Sequence, residues 1–146
     1  MDDVKQQALE QHKNLRGKIE ITLKDQLDDP EKLKLYYTPG VGAVSSYVAE
    51  HPSEAREYTW LNNSVAVVSD GTAVLGLGNL GPLGALPVME GKCAIFKEMA
   101  NVDAFPIVLD TQDPEEIIKI VKAIAPTFGG INLEDFAAPN CFYIEN

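Results

Sequence analysis

Residues 105–133 read FPIVLDTQDPEEIIKIVKAIAPTFGGINL, and this stretch decides the fold class. Phe105-Pro106-Ile107-Val108-Leu109-Asp110 is a compact apolar run of strand length. Asp113-Pro114-Glu115-Glu116 is a helix start. Asp caps the free backbone N–H groups, Pro suits the first helical position, and Glu complements the positive end of the dipole. Ile117, Ile118, Ile120, Val121 and Ile124 give this helix one apolar face, and Pro126 ends it. Gly129-Gly130-Ile131-Asn132-Leu133 then reads as a second strand. Strand, helix and strand in succession point to the α/β class.

Working outward from this stretch, Ser64-Val65-Ala66-Val67-Val68-Ser69 reads as a buried strand. Asp70-Gly71 is a two-residue hairpin signal, which makes Thr72–Leu77 the return strand. A glycine-rich corner follows with Gly76, Gly78, Gly81 and Gly84, then a helix from about Pro87 to Ala100. Nearer the N-terminus, residues 2–16 carry a sparse stripe of Val4, Ala8, Leu9 and Leu15, which predicts a mostly solvated helix. Lys18–Leu23 alternates polar and apolar residues, which predicts a short strand. Asp28-Asp29-Pro30 starts a helix carrying Leu33, Leu35 and Tyr36, which stops before Thr38-Pro39-Gly40. Further helices are expected over about 42–50 and 53–60, and a last one begins near Asn140. That late start is a hint that the sequence is cut from something longer. The expectation is a single α/β domain, a helical N-terminal part followed by a small sheet with flanking helices.

Composition narrows the function classes. With 146 residues, 45% hydrophobic, the chain is one ordinary domain able to bury a core. Its 12 basic and 22 acidic residues give a formal charge of −10, which repels polyanions and argues against nucleic-acid partners. No apolar run approaches the roughly 20 residues that span a bilayer, so no membrane partner is expected. Met1-Asp2-Asp3-Val4-Lys5-Gln6 is not the start of a signal peptide, so a cytoplasmic location is the expectation. Cys93 and Cys141 do not make a disulfide framework and look like small buried hydrophobes.

Several groups are candidates for chemistry. Gly76-Leu77-Gly78-Asn79-Leu80-Gly81 fits G-x-G-x-x-G. A return strand before it and Pro82 after it argue for a tight corner rather than a dinucleotide site. Glu134-Asp135 suits Mg²⁺ or Mn²⁺, because hard cations take oxygen ligands. Both carboxylates reach one ion only if the chain turns there, and the plainer reading is a cap on the next helix. Lys92, in an apolar setting, is a candidate base; the commoner alternative is a lysine whose amine reaches water. Tyr37, before Thr38-Pro39-Gly40, presents its phenol at a helix end or serves as a core-edge aromatic. His12 and His51 lie in polar surroundings with no triad partner, and neither is assigned a catalytic role.

Five segments together resemble the N-terminal domain of bacterial-type malic enzymes. They are Tyr37–Val41, Asp70–Gly81, Pro87–Lys92, Asp103–Pro106 and Ile131–Phe136, in the family's order across about residues 18–146. The resemblance implies a substrate and dimerisation domain for the NAD- or NADP-linked oxidative decarboxylation of malate to pyruvate and CO₂. It implies that Tyr37 protonates the enolate carbon and that Lys92 takes the proton of the malate 2-hydroxyl. It also implies that Glu134 and Asp135 are two of three carboxylates on Mg²⁺ or Mn²⁺, in a homodimer or larger homo-oligomer. Tyr36, Tyr47, Tyr58 and Trp60 furnish a candidate interface. Ala73 stands where animal-type members carry a substrate-gripping arginine. The resemblance further implies a downstream nucleotide domain with the NAD(P) site and the third carboxylate, so no residue here is assigned to the nucleotide. The 146-residue chain alone is expected to be inactive on malate. The alternatives are a relative that decarboxylates oxaloacetate without redox change, and a non-catalytic interaction domain or remnant.

Overall fold

The computed structural model describes residues 2–146. They form two compact units, one of residues 20–62 and the other of residues 63–146 together with the chain up to Ile19.

The larger unit is built on three parallel strands: β1 (Ser64–Ser69), β2 (Asp103–Val108) and β3 (Gly130–Leu133), in the order β2-β1-β3. β1 is central, so hydrogen bonds engage both its edges and helices cover both its faces. That is why SVAVVS is apolar almost throughout rather than alternating. Helix α5 (Gly81–Ala100) crosses from β1 to β2, and helix α6 (Pro114–Ile124) crosses from β2 to β3. These crossovers run in opposite directions along the sheet, and right-handed connections then put their helices on opposite faces. The core follows that division. Val65 and Val67 meet Met89 and Cys93 of α5 on one face. Ala66 and Val68 meet Ile117 of α6, Leu109, Phe136 and Ile144 on the other, with Ile144 carried by helix α7 (Asn140–Glu145). Helix α1 (Asp2–Leu15) is solvated as its sparse stripe predicts, with Val4 and Leu9 both 69% exposed.

The smaller unit is helical, with α2 (Pro30–Tyr36), α3 (Gly40–Glu50), α4 (Ala55–Tyr58) and two short 3₁₀ turns. Asp29 caps α2, its carboxylate accepting from the Glu31 N–H at 2.9 Å. Tyr47 ties α3 to the chain beyond it, stacking on His51, leaning on Tyr58 and donating its hydroxyl to Glu54. None of residues 20–62 is fully buried.

Three sequence expectations are corrected. Thr72–Leu77 is a loop rather than a return strand, because both edges of β1 are already taken by β2 and β3. Lys18–Leu23 is not a strand. Lys18 instead rides on α5, its N–H donating to Glu90 Oε2 and its Nζ to the Pro87 carbonyl, while Ile21 and Leu23 are exposed. An alternating pattern yields a strand only where a sheet edge accepts it. The helix expected from Pro87 starts at Gly81, with Pro82 in its first turn and Pro87 inside it. Burial of Ala85 and Met89 on either side of Pro87 offsets the hydrogen bond that proline removes.

Met89 is wholly buried between α5 and the sheet. Met89→Ala is expected to lower the unfolding free energy by about 2–5 kcal/mol, measured by urea denaturation. A change below about 1 kcal/mol would mean the face closes over the gap.

Candidate active site

Parallel α/β sheets bind ligands beyond the carboxyl ends of their strands, where neighbouring connections leave on opposite faces. Here that point lies between β1 and β3. The chain after β1 loops through residues 70–80 to α5 on one face. The chain after β3 runs to α7, whose Ile144 packs on the other.

Glu134 prolongs the ladder by one step, its N–H donating to the Val68 carbonyl at 2.8 Å. Asp135 then takes a left-handed conformation (φ +58°), so the chain turns where two adjacent carboxylates need it to turn. Neither acid caps a helix, because α7 starts only at Asn140 with Pro139 before it. The Asp135 carbonyl accepts from the Ala73 N–H at 3.0 Å, and the Ala137 N–H donates to Thr72 Oγ1 at 2.8 Å. The loop after β1 therefore clasps the turn after β3.

Lys92 comes from α5. It lies three residues after Met89 and next to Cys93, both core residues, which sets it on the flank of the helix near the sheet. Its Nζ lies 3.2 Å from Glu134 Oε2, in an ion pair that stays partly exposed to water. The same oxygen accepts from Asn132 Nδ2 at 2.9 Å. Lys92, Glu134 and Asp135 thus share one corner of the unit.

Asp135 Oδ2 is buried and has no hydrogen-bond partner. Burial and the Glu134 charge push the Asp135 carboxyl above its usual value, against the Leu75 N–H and Lys92, which favour ionisation. A buried carboxylate oxygen with no donor is under-stabilised, and a hard divalent cation is the partner that matches it. The pair suits such an ion as two of its ligands. Among the described residues, no three His, Cys, Asp or Glu side chains cluster to complete the site.

Tyr37 belongs to the helical unit. It ends α2, its N–H donating to the Leu33 carbonyl, and its ring is 67% exposed. Cys93 is buried against the sheet, and desolvation pushes its thiol up to about 11, which disfavours the reactive thiolate. His12 and His51 each set a ring nitrogen against a backbone carbonyl one helical turn back.

The G-x-G-x-x-G stretch does sit in a strand–helix–strand unit, so a return strand is no ground for discounting it. A dinucleotide loop follows its strand at once. Here residues 70–75 intervene and are occupied in clasping the Asp135 turn.

Sequence reading missed Asn132 and Thr72. Asp70-Gly71-Thr72 carried a signal for the latter, since Asp two residues before Thr makes a local Asx turn. Asp70 Oδ1 accepts from both the Thr72 N–H (3.0 Å) and the Thr72 hydroxyl (2.7 Å).

The malic enzyme N-terminal domain profile matches residues 16–146. The chain is 61% identical over 132 residues to the NAD-dependent malic enzyme of Geobacillus stearothermophilus, covering 90% of this chain and 28% of that protein. It is 50% identical over 145 residues to the NADP-dependent malic enzyme of Escherichia coli, covering 99% of this chain and 19% of that protein. Its fold superposes on the crystal structure of the malic enzyme from Pyrococcus horikoshii with a TM-score of 0.94. Identity there is 56%, over 97% of this chain and 33% of the other. The chain therefore spans about a fifth to a third of the length of these relatives. Profile, identity and fold agree: this chain belongs to the malic enzyme family and corresponds to its N-terminal domain.

Proposed function

We propose that residues 1–146 are the substrate-side domain of a malic enzyme, a decarboxylating malate oxidoreductase that yields pyruvate and CO₂. The reading rests on one observation above all. Lys92, Glu134 and the unpartnered Asp135 Oδ2 meet at the carboxyl ends of β1 and β3. NAD or NADP is supplied from a nucleotide domain beyond these residues.

Glu134 and Asp135 hold Mg²⁺ or Mn²⁺ as two of its ligands. When bound, the ion supplies positive charge beside the substrate's 2-oxygen, which eases loss of the hydroxyl proton. Lys92, in its neutral amine form, would receive that proton at Nζ, and a nicotinamide bound by the further domain would supply the hydride acceptor. After CO₂ departs, Tyr37 returns a proton to the substrate carbon through its phenol. Glu134 ties the base to the metal corner, because its Oε2 already faces Lys92 Nζ.

The domain works in a homodimer or larger homo-oligomer. Residues 20–62 bury no side chain fully yet expose Leu35 (63%), Tyr37 (67%) and Tyr58 (48%). A unit this short without a core of its own draws its stability from association. No helix among the described residues is long and apolar enough to cross a membrane. We place the protein in the cytoplasm.

The test is malate-dependent reduction of NAD or NADP by the protein purified from its own source, with its intact mass measured alongside. Removing divalent metal with a chelator is expected to abolish the activity, and Mn²⁺ to restore it. No malate consumption with either nucleotide would overturn the reading. Oxaloacetate loss without nicotinamide would replace it with simple decarboxylation.

A further inference from the structure

Asp70 is a buried acid, 2% exposed, to which the mechanism gives no task. Its Oδ1 takes both the N–H and the hydroxyl of Thr72. Accepting the hydroxyl proton orients Thr72 Oγ1 so that its lone pairs face the Ala137 N–H, which donates to it at 2.8 Å. Next to this bond the Ala73 N–H donates to the Asp135 carbonyl. The turn at Asp135 is thus gripped on both sides, through its own carbonyl and through the amide two residues on. A left-handed φ at a non-glycine residue is unfavourable and persists only where its surroundings enforce it. The Asp70–Thr72 pair is well suited to that enforcement. Charge-assisted acceptance by a buried carboxylate is among the stronger hydrogen bonds a hydroxyl can make.

We infer that Thr72, backed by the buried Asp70, is a positioning residue for Asp135 in the metal site. The inference rests on the reading of Glu134 and Asp135 as metal ligands. Without the Thr72 hydroxyl the Ala137 amide loses its acceptor, the turn relaxes, and the Asp135 carboxylate no longer shares a corner with Glu134. Partners of this kind, one shell out from a ligand, typically change metal affinity by about 10–100-fold.

The experiment uses free Mn²⁺ as the probe and, as the readout, amide NMR spectra of the full-length protein that carries this domain, with every ligand of the site present. In the wild type, sub-stoichiometric Mn²⁺ is expected to broaden the amide signals around Glu134 and Asp135 before any others. Thr72→Ser keeps the hydroxyl and is expected to keep that pattern. Thr72→Val keeps the shape without the hydroxyl and is expected to need roughly tenfold more Mn²⁺ for equal broadening. If Thr72→Val loses its dispersed spectrum, Thr72→Ala, which adds no apolar bulk, is read in its place. Absence of selective broadening in the wild type would remove the metal reading and this inference with it. Selective broadening in the wild type that is unchanged in the folded variant would overturn this inference alone. Unfolding of both variants would also overturn it, leaving Thr72 as part of the scaffold.

Discussion

Lys92→Ala, in a protein that carries this domain and oxidises malate, is expected to lower kcat by about two to four orders of magnitude. That corresponds to roughly 3–5 kcal/mol of lost transition-state stabilisation. The structure supplies a competing explanation to exclude, because Lys92 Nζ also pairs with Glu134 Oε2 at 3.2 Å. If pairing were its whole role, the partly exposed ion pair would contribute no more than about 1 kcal/mol to stability and nothing to rate. Lys92→Arg separates the two. Arginine can still face Glu134, but its guanidinium does not give up its proton at physiological pH. A base role predicts that Arg fails as badly as Ala, while a pairing role predicts that Arg restores the wild type. Steady-state kcat with saturating malate and Mn²⁺, beside the melting temperature of each variant, decides between them. An Ala variant within tenfold of wild-type kcat would remove Lys92 from the chemistry and favour an interaction domain.

Gly71→Ala is expected to be among the most damaging single changes to the larger unit. Gly71 holds φ +72°, and a Cβ there would lie 2.2 Å from the Gly81 carbonyl oxygen and 2.5 Å from its carbon. Those atoms are backbone and cannot swing aside. The Gly71 carbonyl also accepts from the N–H groups of Leu80 and Gly81, so the glycine closes the whole loop between β1 and α5. Strain at positive φ and the backbone collision together are expected to remove about 3–5 kcal/mol of stability. For a chain of this size that lowers Tm by on the order of 10 °C. Gly76→Ala is the control, since nothing lies within 4 Å of a Cβ there. It is expected to change stability by less than about 0.5 kcal/mol. Equal melting curves for the two variants would mean that the loop is not closed at Gly71. Loosening this loop also frees Thr72 and Ala73, so the Gly71 variant should bind Mn²⁺ less well than the Gly76 variant even where both are folded.

The contrast between helix α6 and the loop after β1 marks how far the sequence could be read. Asp113-Pro114-Glu115 states a helix start in local terms, and the structure has it, with the Asp113 carboxylate accepting from the Glu115 N–H at 3.0 Å. Asp70-Gly71 also states a turn in local terms, and a turn is there. Whether that turn leads back as a hairpin depends on whether β1 has a free edge, and the edges were claimed by strands about 40 and 65 residues further on. The alternation of Lys18–Leu23 states a strand in local terms too, but the structure places its start against helix α5 rather than at a sheet edge.

The sequence by itself determined the family, the α/β class, the apolar central strand and the residue types of the corner. Those properties rest on neighbours in the chain, on composition and on five motifs in order. Only the tertiary structure decided that β1 is flanked on both sides and that Lys92 meets Glu134. It alone turned Asp135 to bury an oxygen without a donor, and it alone made Asp70 and Thr72 the clasp of that turn. The physical reason is range. Capping and periodicity are settled within a few residues. Strand order and the meeting of groups 42 or 65 residues apart in sequence, Lys92 Nζ with the Glu134 carboxylate and the Thr72 hydroxyl with the Ala137 N–H, are settled only when the sheet closes its core.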